Sequence, residues 1–545
     1  MSLNIRKVYV LLNEKPWLIL TLFTLLVILL RWSSFYQSVI DWDESLYILV
    51  AKAWSEGNPP YTTIWDNKPP GIYIIFLSAL SLLGHSILSI RILACLFVAI
   101  TCFFLYKTGS LIEHNGREIG LLSGSLYAIG TVSDGSNSGV ASNTEIFFAP
   151  FVMIAFYLLF KNNFYFAEYL SKKHLNLFLI GLLLGIGFEI KYVVLFDFFA
   201  LSLVLVFTFI RQSRLKIRYL LIFQSILLLF LGFVSPLIIV SLFFWLIGHF
   251  DNYIYAIFTA NKLRTLDLEF SFLAPLKAIV GQIRIYPFFW FSILSVSIYL
   301  FIKKSISIRE KWILSDFIVC FFTNLLGICI VFRGSFYHHY FLQLLPSLCL
   351  VTAYFLVILV PSSIKVEKSR YRLYLILGVL LIFLTTTPYV FKALISNTKY
   401  VYFTHVKGIR YWNDTPALIA EYLKPKINPS DYIYVVDSIP VVYFLTDAKI
   451  PSRYAFPPFL LIQKDLPNIT GVVPLEELNL ILQKQPVYII KRKIYTDISF
   501  VNDNKIFLNN LNQALDKSYH IETSINEFDL HRLNTNRTYT TRERM

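Results

Sequence analysis

Apolar runs long enough to cross a bilayer recur from the N-terminus to about residue 390, separated by short basic segments, and no other feature constrains the fold as strongly. A run of about 18–25 apolar residues matches the ~30 Å hydrocarbon core when wound as a helix. Lipid offers backbone groups no hydrogen-bond partners, so runs of this kind span as helices. The expected fold class is an all-α polytopic membrane protein. The first run, Trp17 to Leu30, follows Arg6, Lys7 and Lys15, and no small-residue cleavage site comes after it; Arg31-Trp32 and an acidic loop do. It reads as a retained anchor, not a signal peptide.

The basic segments set the topology. They are the N-terminus, Lys107–Arg117, Lys161–Lys173, Arg211–Arg218, Lys303–Lys311 and Lys365–Arg372. The positive-inside rule puts all six in the cytoplasm. Spans near 17–37, 87–107, 118–133, 144–160, 175–190, 192–210, 219–248, 286–302, 312–332, 339–360 and 372–390 satisfy it. About eleven transmembrane helices, with the N-terminus inside, leave the C-terminal region on the extracytoplasmic side of the inner or plasma membrane. Pro70 to Gly84 is apolar but only about 14–15 residues long, a rise of ~22 Å, and reads as an interfacial or re-entrant helix. His249 to Arg284 is a second outer-face excursion, broken by Asn261, Lys262, Arg264, Asp267 and Glu269.

After Tyr389 the apolar runs shorten and charged, Asn and Pro residues rise. Asp414-Thr415-Pro416 is a helix start with proline in the first turn. Tyr432–Val436 and Val487–Ile490 read as buried strands, and Leu475–Lys484 and Lys505–Leu515 as amphipathic helices. The division is a transmembrane module over 1–395, with outer-face loops 40–86 and 249–285, and a small extracytoplasmic α/β domain over 396–545 whose basic tail after Arg532 is frayed. The net charge of +15 is carried between the spans, so it speaks for topology and anionic lipid contact, not nucleic acid. All five cysteines, Cys95, Cys102, Cys320, Cys329 and Cys349, fall inside apolar runs, so no external disulfide is expected.

Candidate chemistry gathers at the outer face. Asp41-Trp42-Asp43-Glu44 follows the first span, where carboxylates are costly to place without a reason. A helix N-terminus stabilised by its dipole explains them structurally; a base for an acceptor hydroxyl explains them functionally. Tyr61 follows Pro60 in a turn, and Lys68 stands before Pro69-Pro70, which stiffen the chain and hold the ammonium at headgroup depth, where it meets a lipid phosphate or merely snorkels. Glu145 opens a span after Asn143-Thr144, either as part of a helix cap or as a site acid. Lys191 splits two apolar runs, with Glu189 beside it as a ready partner. Arg333, His338, His339 and Tyr340 open another span from outside. They read as a phosphate-binding group or an interfacial belt. Adjacent histidines point apart on a helix and rarely chelate together, so no metal ligand set is assigned. Asp41-Trp42-Asp43 has the spacing of an Asp-x-Asp pair and keeps a divalent ion open, although no cofactor is required.

Taken in order, Asp43-Glu44 with Tyr47, Pro60-Tyr61, Lys68-Pro69-Pro70, Arg91, Thr144-Glu145, Lys191 and the run His339 to Pro346 resemble the C-type membrane glycosyltransferases, in the branch of protein O-mannosyltransferases and lipid A aminoarabinose transferases. Tyr443-Phe444-Leu445-Thr446 and Ser452-Arg453-Tyr454 resemble bacterial members. The resemblance implies the GT-C fold and transfer of a sugar from a polyprenyl-phosphate donor, with inversion, to a lipid-linked saccharide, cell-envelope glycan or protein. By carry-over Asp43 is the base, with Glu44 beside it. Lys68 contacts the donor phosphate, Arg333, His339 and Lys191 add positive charge, and Glu145, Tyr61, Tyr340 and His338 face acceptor or sugar. The other partners expected are membrane lipids. Two rival classes remain: a transporter or flippase of lipid-linked saccharides, which would carry repeats and midplane charges, and a non-catalytic membrane subunit, which would not need Asp43 or Lys68.

Overall fold

The computed structural model describes residues 15–133, 139–162, 174–212, 215–267, 273–303, 306–331, 336–361, 378, 391–392, 395–396, 398–409, 413–437, 439–461 and 469–534. The chain divides into two compact units. One comprises residues 1–36, 68–248 and 270–411; the other comprises 37–67, 249–269 and 412–545.

The first unit is helical. Its helices are Pro16–Arg31, Gly71–Leu83, Ile87–Gly109, Gly116–Gly130, Thr144–Lys161, His174–Ile190, Leu195–Gln212, Leu215–Leu246, Leu273–Ile285, Pro287–Ile302, Ile308–Val331 and Leu345–Tyr354, with a 3-10 turn His338–Leu344 leading into the last. Among the described residues six helices are long and apolar enough to cross a membrane, or seven if the pair Leu273–Ile285 and Pro287–Ile302, bent by 101°, is one broken span. The protein is a multi-pass membrane protein, but this measure does not reach eleven. Gly71–Leu83, His174–Ile190 and Tyr192–Phe207 are shorter apolar helices, and the expected span 372–390 lies outside the described residues apart from Gly378.

Glycines set the helix spacing. A Cβ on Gly181 would lie 2.1 Å from the Leu229 carbonyl oxygen, one on Gly185 2.3 Å from that of Phe233, and one on Gly232 2.1 Å from that of Phe178. The helices His174–Ile190 and Leu215–Leu246 therefore touch backbone to backbone. Small residues four apart are what makes such approach possible where lipid supplies no hydrophobic drive.

The second unit holds a four-stranded sheet ordered β1-β2-β4-β3, with β1 Ile433–Val435, β2 Tyr488–Arg492, β3 Tyr519–Ile525 and β4 Phe528–Leu533. β1 and β2 run parallel; β2 with β4 and β4 with β3 run antiparallel. Helix Pro474–Gln483 buries Leu478 and Ile481 on the sheet, and helix Lys505–Ser518 buries Phe507, Leu508, Leu511 and Leu515. These spacings are the stripe of an amphipathic helix. The unit takes in two segments from earlier in the chain. Ser38 donates from its backbone N–H (2.8 Å) and its hydroxyl (2.5 Å) to Asp414, which caps helix Thr415–Leu423. Lys52 forms an ion pair with Asp447. The β3–β4 hairpin is the element the sequence reading lacked. It carries Arg532 into β4, and the tail expected to fray after it lies outside the described residues from 535 onward.

Candidate active site

In the second unit, Asp41 is the N-cap of helix Trp42–Ser55, its backbone extended (φ −129°, ψ 145°). Its Oδ1 accepts from the Asp43 N–H at 3.2 Å. Glu44 reaches back, its Oε1 accepting from the N–H groups of Ile40 at 2.6 Å and Asp41 at 3.4 Å. This is a capping box, in which two side chains satisfy the helix's orphan donors reciprocally. It assigns both Asp41 and Glu44 a structural task. Asp43 lies between them, half-buried, and its Oδ2 accepts from the Tyr47 hydroxyl at 3.1 Å. The capping pair thus fixes the helix start, and Tyr47, one turn on, steers the remaining carboxylate.

Tyr61 is buried in the left-handed region, φ 71°, which is strained for a bulky residue. The neighbouring chain holds it there. Arg453 Nη2 donates to the Tyr61 carbonyl at 3.3 Å, and the Trp65 N–H donates to the Arg453 carbonyl at 2.8 Å. Asn67 and Asn261 pair reciprocally: Asn67 Nδ2 donates to Asn261 Oδ1 at 3.1 Å, and Asn261 Nδ2 to the Asn67 carbonyl at 2.9 Å. The residue before Lys68 is therefore pinned.

In the first unit, half-buried Lys68 leads into Pro69-Pro70-Gly71 and the helix Gly71–Leu83. A Cβ on Gly71 would lie 2.3 Å from the Glu189 carbonyl oxygen. Only glycine lets this turn rest against Glu189-Ile190, one residue short of Lys191. Lys191 is extended (φ −157°, ψ 126°) where helix His174–Ile190 stops. Its ammonium is in an ion pair with Glu145, side-chain exposures 4% and 1%, and lies over the Tyr340 ring at 4.5 Å from the centroid. The other Glu145 oxygen accepts from the Thr144 hydroxyl at 3.1 Å. His339 is buried edge-on to Tyr340, ring centroids 4.5 Å apart, and stacked on Tyr337 at 5.8 Å.

Several expectations are corrected or refined here. Glu189 does not pair with Lys191. Glu145 does, from 46 positions earlier, while both Glu189 oxygens are buried with no hydrogen-bond partner among the described residues. Asn143 occupies the N-cap of helix Thr144–Lys161 without a side-chain capping bond, so capping does not explain this end. The two histidines part company. His339 packs against Tyr340 of the Glu145–Lys191 cluster, and His338 is exposed, its Nδ1 3.2 Å from Gln282 Nε2, at a small crevice lined by Gln282, Tyr286, Trp290 and Phe341. Arg333 lies outside the described residues. Among the described residues no group of three or more His, Cys, Asp or Glu side chains is placed to hold a metal ion.

Two buried arginines that the sequence reading used only as landmarks hold the approach to Glu145. Arg31 donates to the carbonyls of Gly139 at 2.7 Å and Val140 at 2.8 Å, and Arg91 donates to the Ser142 hydroxyl at 3.1 Å. Their signal was legible: an arginine at the edge of an apolar span needs buried acceptors or an exit to water.

Residues 67–240 match the family model for dolichyl-phosphate-mannose-protein mannosyltransferases. The chain is similar in structure to ArnT from Cupriavidus metallidurans bound to undecaprenyl phosphate, with a TM-score of 0.58 at 13% identity over 96% of this chain and 99% of that one. It is also similar to ArnT from the same organism in the apo state, with a TM-score of 0.57 at 13% identity over 95% and 98% of the two chains. A search of curated proteins finds no match. The fold is the GT-C fold of ArnT.

Proposed function

We propose that this membrane glycosyltransferase of the GT-C type moves a sugar from a polyprenyl-phosphate donor to a hydroxyl of a lipid-linked saccharide, envelope glycan or protein on the extracytoplasmic side. The observation that carries the reading is that the family match over 67–240 falls on the segment in which the turn after Lys68 packs against the end of helix His174–Ile190, next to Lys191 and its partner Glu145. The ArnT bound to undecaprenyl phosphate supports the class of donor.

The chemistry is a single displacement. Asp43 takes the proton of the acceptor hydroxyl as its oxygen bonds to the anomeric carbon. The bond from that carbon to the phosphate oxygen breaks on the opposite face, so the centre inverts. The electron pair leaves with the polyprenyl phosphate, and the proton stays on Asp43. Proton capture and attack belong to one step, so the carboxylate acts as the new bond forms. Lys68 offsets the charge that grows on the departing phosphate, where a fixed cation in a site of low dielectric is most effective. Lys191 is already balanced by Glu145, so its part is to orient this pair toward the sugar or acceptor, with His339 and Tyr340 beside it.

The test is purified protein in liposomes with a labelled polyprenyl-phosphate sugar and a panel of cell-envelope acceptors. Label on an acceptor with matching release of polyprenyl phosphate is the expected result. Movement of intact donor across the bilayer without bond cleavage would instead establish a transporter.

A further inference from the structure

The Lys191 and His339–Tyr340 segments come from helices far apart in sequence, yet the Lys191 ammonium must sit over one ring and against one carboxylate. A second buried polar centre lies behind them. Asp197, 2% exposed, is in the first turn of helix Leu195–Gln212, six residues after Lys191. Its Oδ1 accepts from Asn324 Nδ2 at 2.7 Å and from the Cys320 thiol at 3.2 Å. Its Oδ2 accepts from Gln343 Nε2 at 3.0 Å. Gln343, four residues after His339, also places Nε2 3.1 Å from the Val193 carbonyl and 2.9 Å from Asn324 Oδ1. Three donors converge on Asp197, which only a carboxylate can satisfy with acceptors throughout. A buried network of this kind is favourable only when every member is in place, so it admits one register between the segments it joins.

We infer that Asp197 is a positioning residue, which through Gln343 and Asn324 locks the Lys191-bearing segment against the turn carrying His339 and Tyr340. This rests on the reading that the Glu145–Lys191–Tyr340 cluster serves sugar transfer. Apolar groups of similar volume often replace a buried polar network without loss of stability. The double variant Asp197→Leu/Asn324→Leu therefore separates positioning from mere structure. It should unfold within a few degrees of the wild type and bind polyprenyl phosphate with little change. Its turnover should fall about 10- to 100-fold, since misplacement of ~1 Å is enough for such a loss. The swap Asp197→Asn/Asn324→Asp restores donor-to-acceptor pairing and should recover turnover above that of Asp197→Asn alone. It also serves as the test if the leucines are not tolerated. A readout independent of activity accompanies these: in the leucine background, the drop in unfolding midpoint caused by Lys191→Met should shrink by about half or more, because Lys191 no longer meets Glu145 in register. Wild-type turnover in the leucine variant, no recovery in the swap, or an undiminished Lys191→Met drop would each overturn the inference. If wild-type protein transfers no sugar, the functional reading falls, and the Lys191→Met measurement decides the positioning claim alone.

Discussion

Glu145 and Lys191 form a buried ion pair in the described part of the membrane unit. Both side chains are almost wholly enclosed, at 1% and 4% exposure. Removing one charge leaves the other buried without its partner, which costs about 3–5 kcal/mol. Lys191→Met takes the counter-charge from Glu145, whose Oε2 keeps the Thr144 hydroxyl, and also removes a desolvated cation–π contact with Tyr340 worth ~2 kcal/mol. Glu145→Gln strands the ammonium, although Tyr340 still faces it, so its cost should fall at the lower end of that range. The double variant Glu145→Gln/Lys191→Met has neither stranded charge and should be more stable than Lys191→Met alone. Thermal unfolding in detergent, followed by the fraction still monodisperse after heating, reads the order: wild type above double variant above Lys191→Met. The coupling should be a large share of the single losses. Additive losses in the double variant would refute the claim that the pair stabilises this region as a pair. Turnover of the double variant should remain low even where its stability recovers, since the pair's proposed part in orienting substrate is lost.

Asp43→Asn keeps the size and removes the proton acceptor, so transfer should stop while donor binding and folding persist; near-normal turnover would move the base elsewhere. Lys68→Ala should weaken donor binding and slow turnover together by roughly 10- to 150-fold, the equivalent of a charge-assisted contact of ~1.5–3 kcal/mol, with Lys68→Arg in between; unchanged titration with polyprenyl phosphate would remove Lys68 from the site. In the second unit, burial pushes the Asp437 carboxyl up to about 6 against the opposing pull of Arg492. A carboxyl raised in this way favours folding below its unfolded value of ~3.9, and the benefit is lost as pH climbs through about 6, roughly 3 kcal/mol for two units. Asp437→Asn should flatten the fall in unfolding midpoint between about pH 4 and 6, and an unchanged pH profile would contradict this account. For topology, a cysteine at Ser213, within the basic segment Arg211–Arg218, should resist an impermeant thiol reagent added outside intact cells; labelling from outside would overturn the assignment of basic segments to the cytoplasm.

Periodicity and charge made the elements legible more than their partners. The spans read near 87–107, 144–160 and 312–332 appear as helices Ile87–Gly109, Thr144–Lys161 and Ile308–Val331, because length and hydropathy alone decide such segments. The Asp414-Thr415-Pro416 start and the strands around Ile433 and Ile489 also appear, since capping and β-branched patterning are local signals. The β3–β4 hairpin was not legible. Its turn, Asn526-Glu527, lacks the glycine that usually marks a two-residue connection; Asn526 takes positive φ (51°) itself. Pairing was the other blind spot. Glu189 stands two residues from Lys191 and looks like its partner, yet Glu145 holds it. Residues two apart point to different sides at a helix end, and only the packing of helix Thr144–Lys161 on His174–Ile190 supplies a carboxylate in the right direction.

That pairing fixes one buried cation of the membrane unit through its side chain. A lysine in an apolar bundle tends to find a carboxylate, and Lys191 does. At Lys68 the main chain itself is fixed. Asn67 before it is tied down by Asn261, the two prolines after it limit the backbone, and Gly71 lets the turn press on the Glu189–Ile190 backbone at a distance no other residue tolerates. These constraints act on the main chain on both sides of Lys68. If the proposed transfer is right, an ammonium held at this turn would meet the charge that grows on the departing phosphate. The same logic separates Asp43 from its neighbours. Asp41 and Glu44 spend their carboxylates on the helix N-terminus, and that leaves Asp43, steered by Tyr47, as the acid whose protonation would not unravel the helix that presents it.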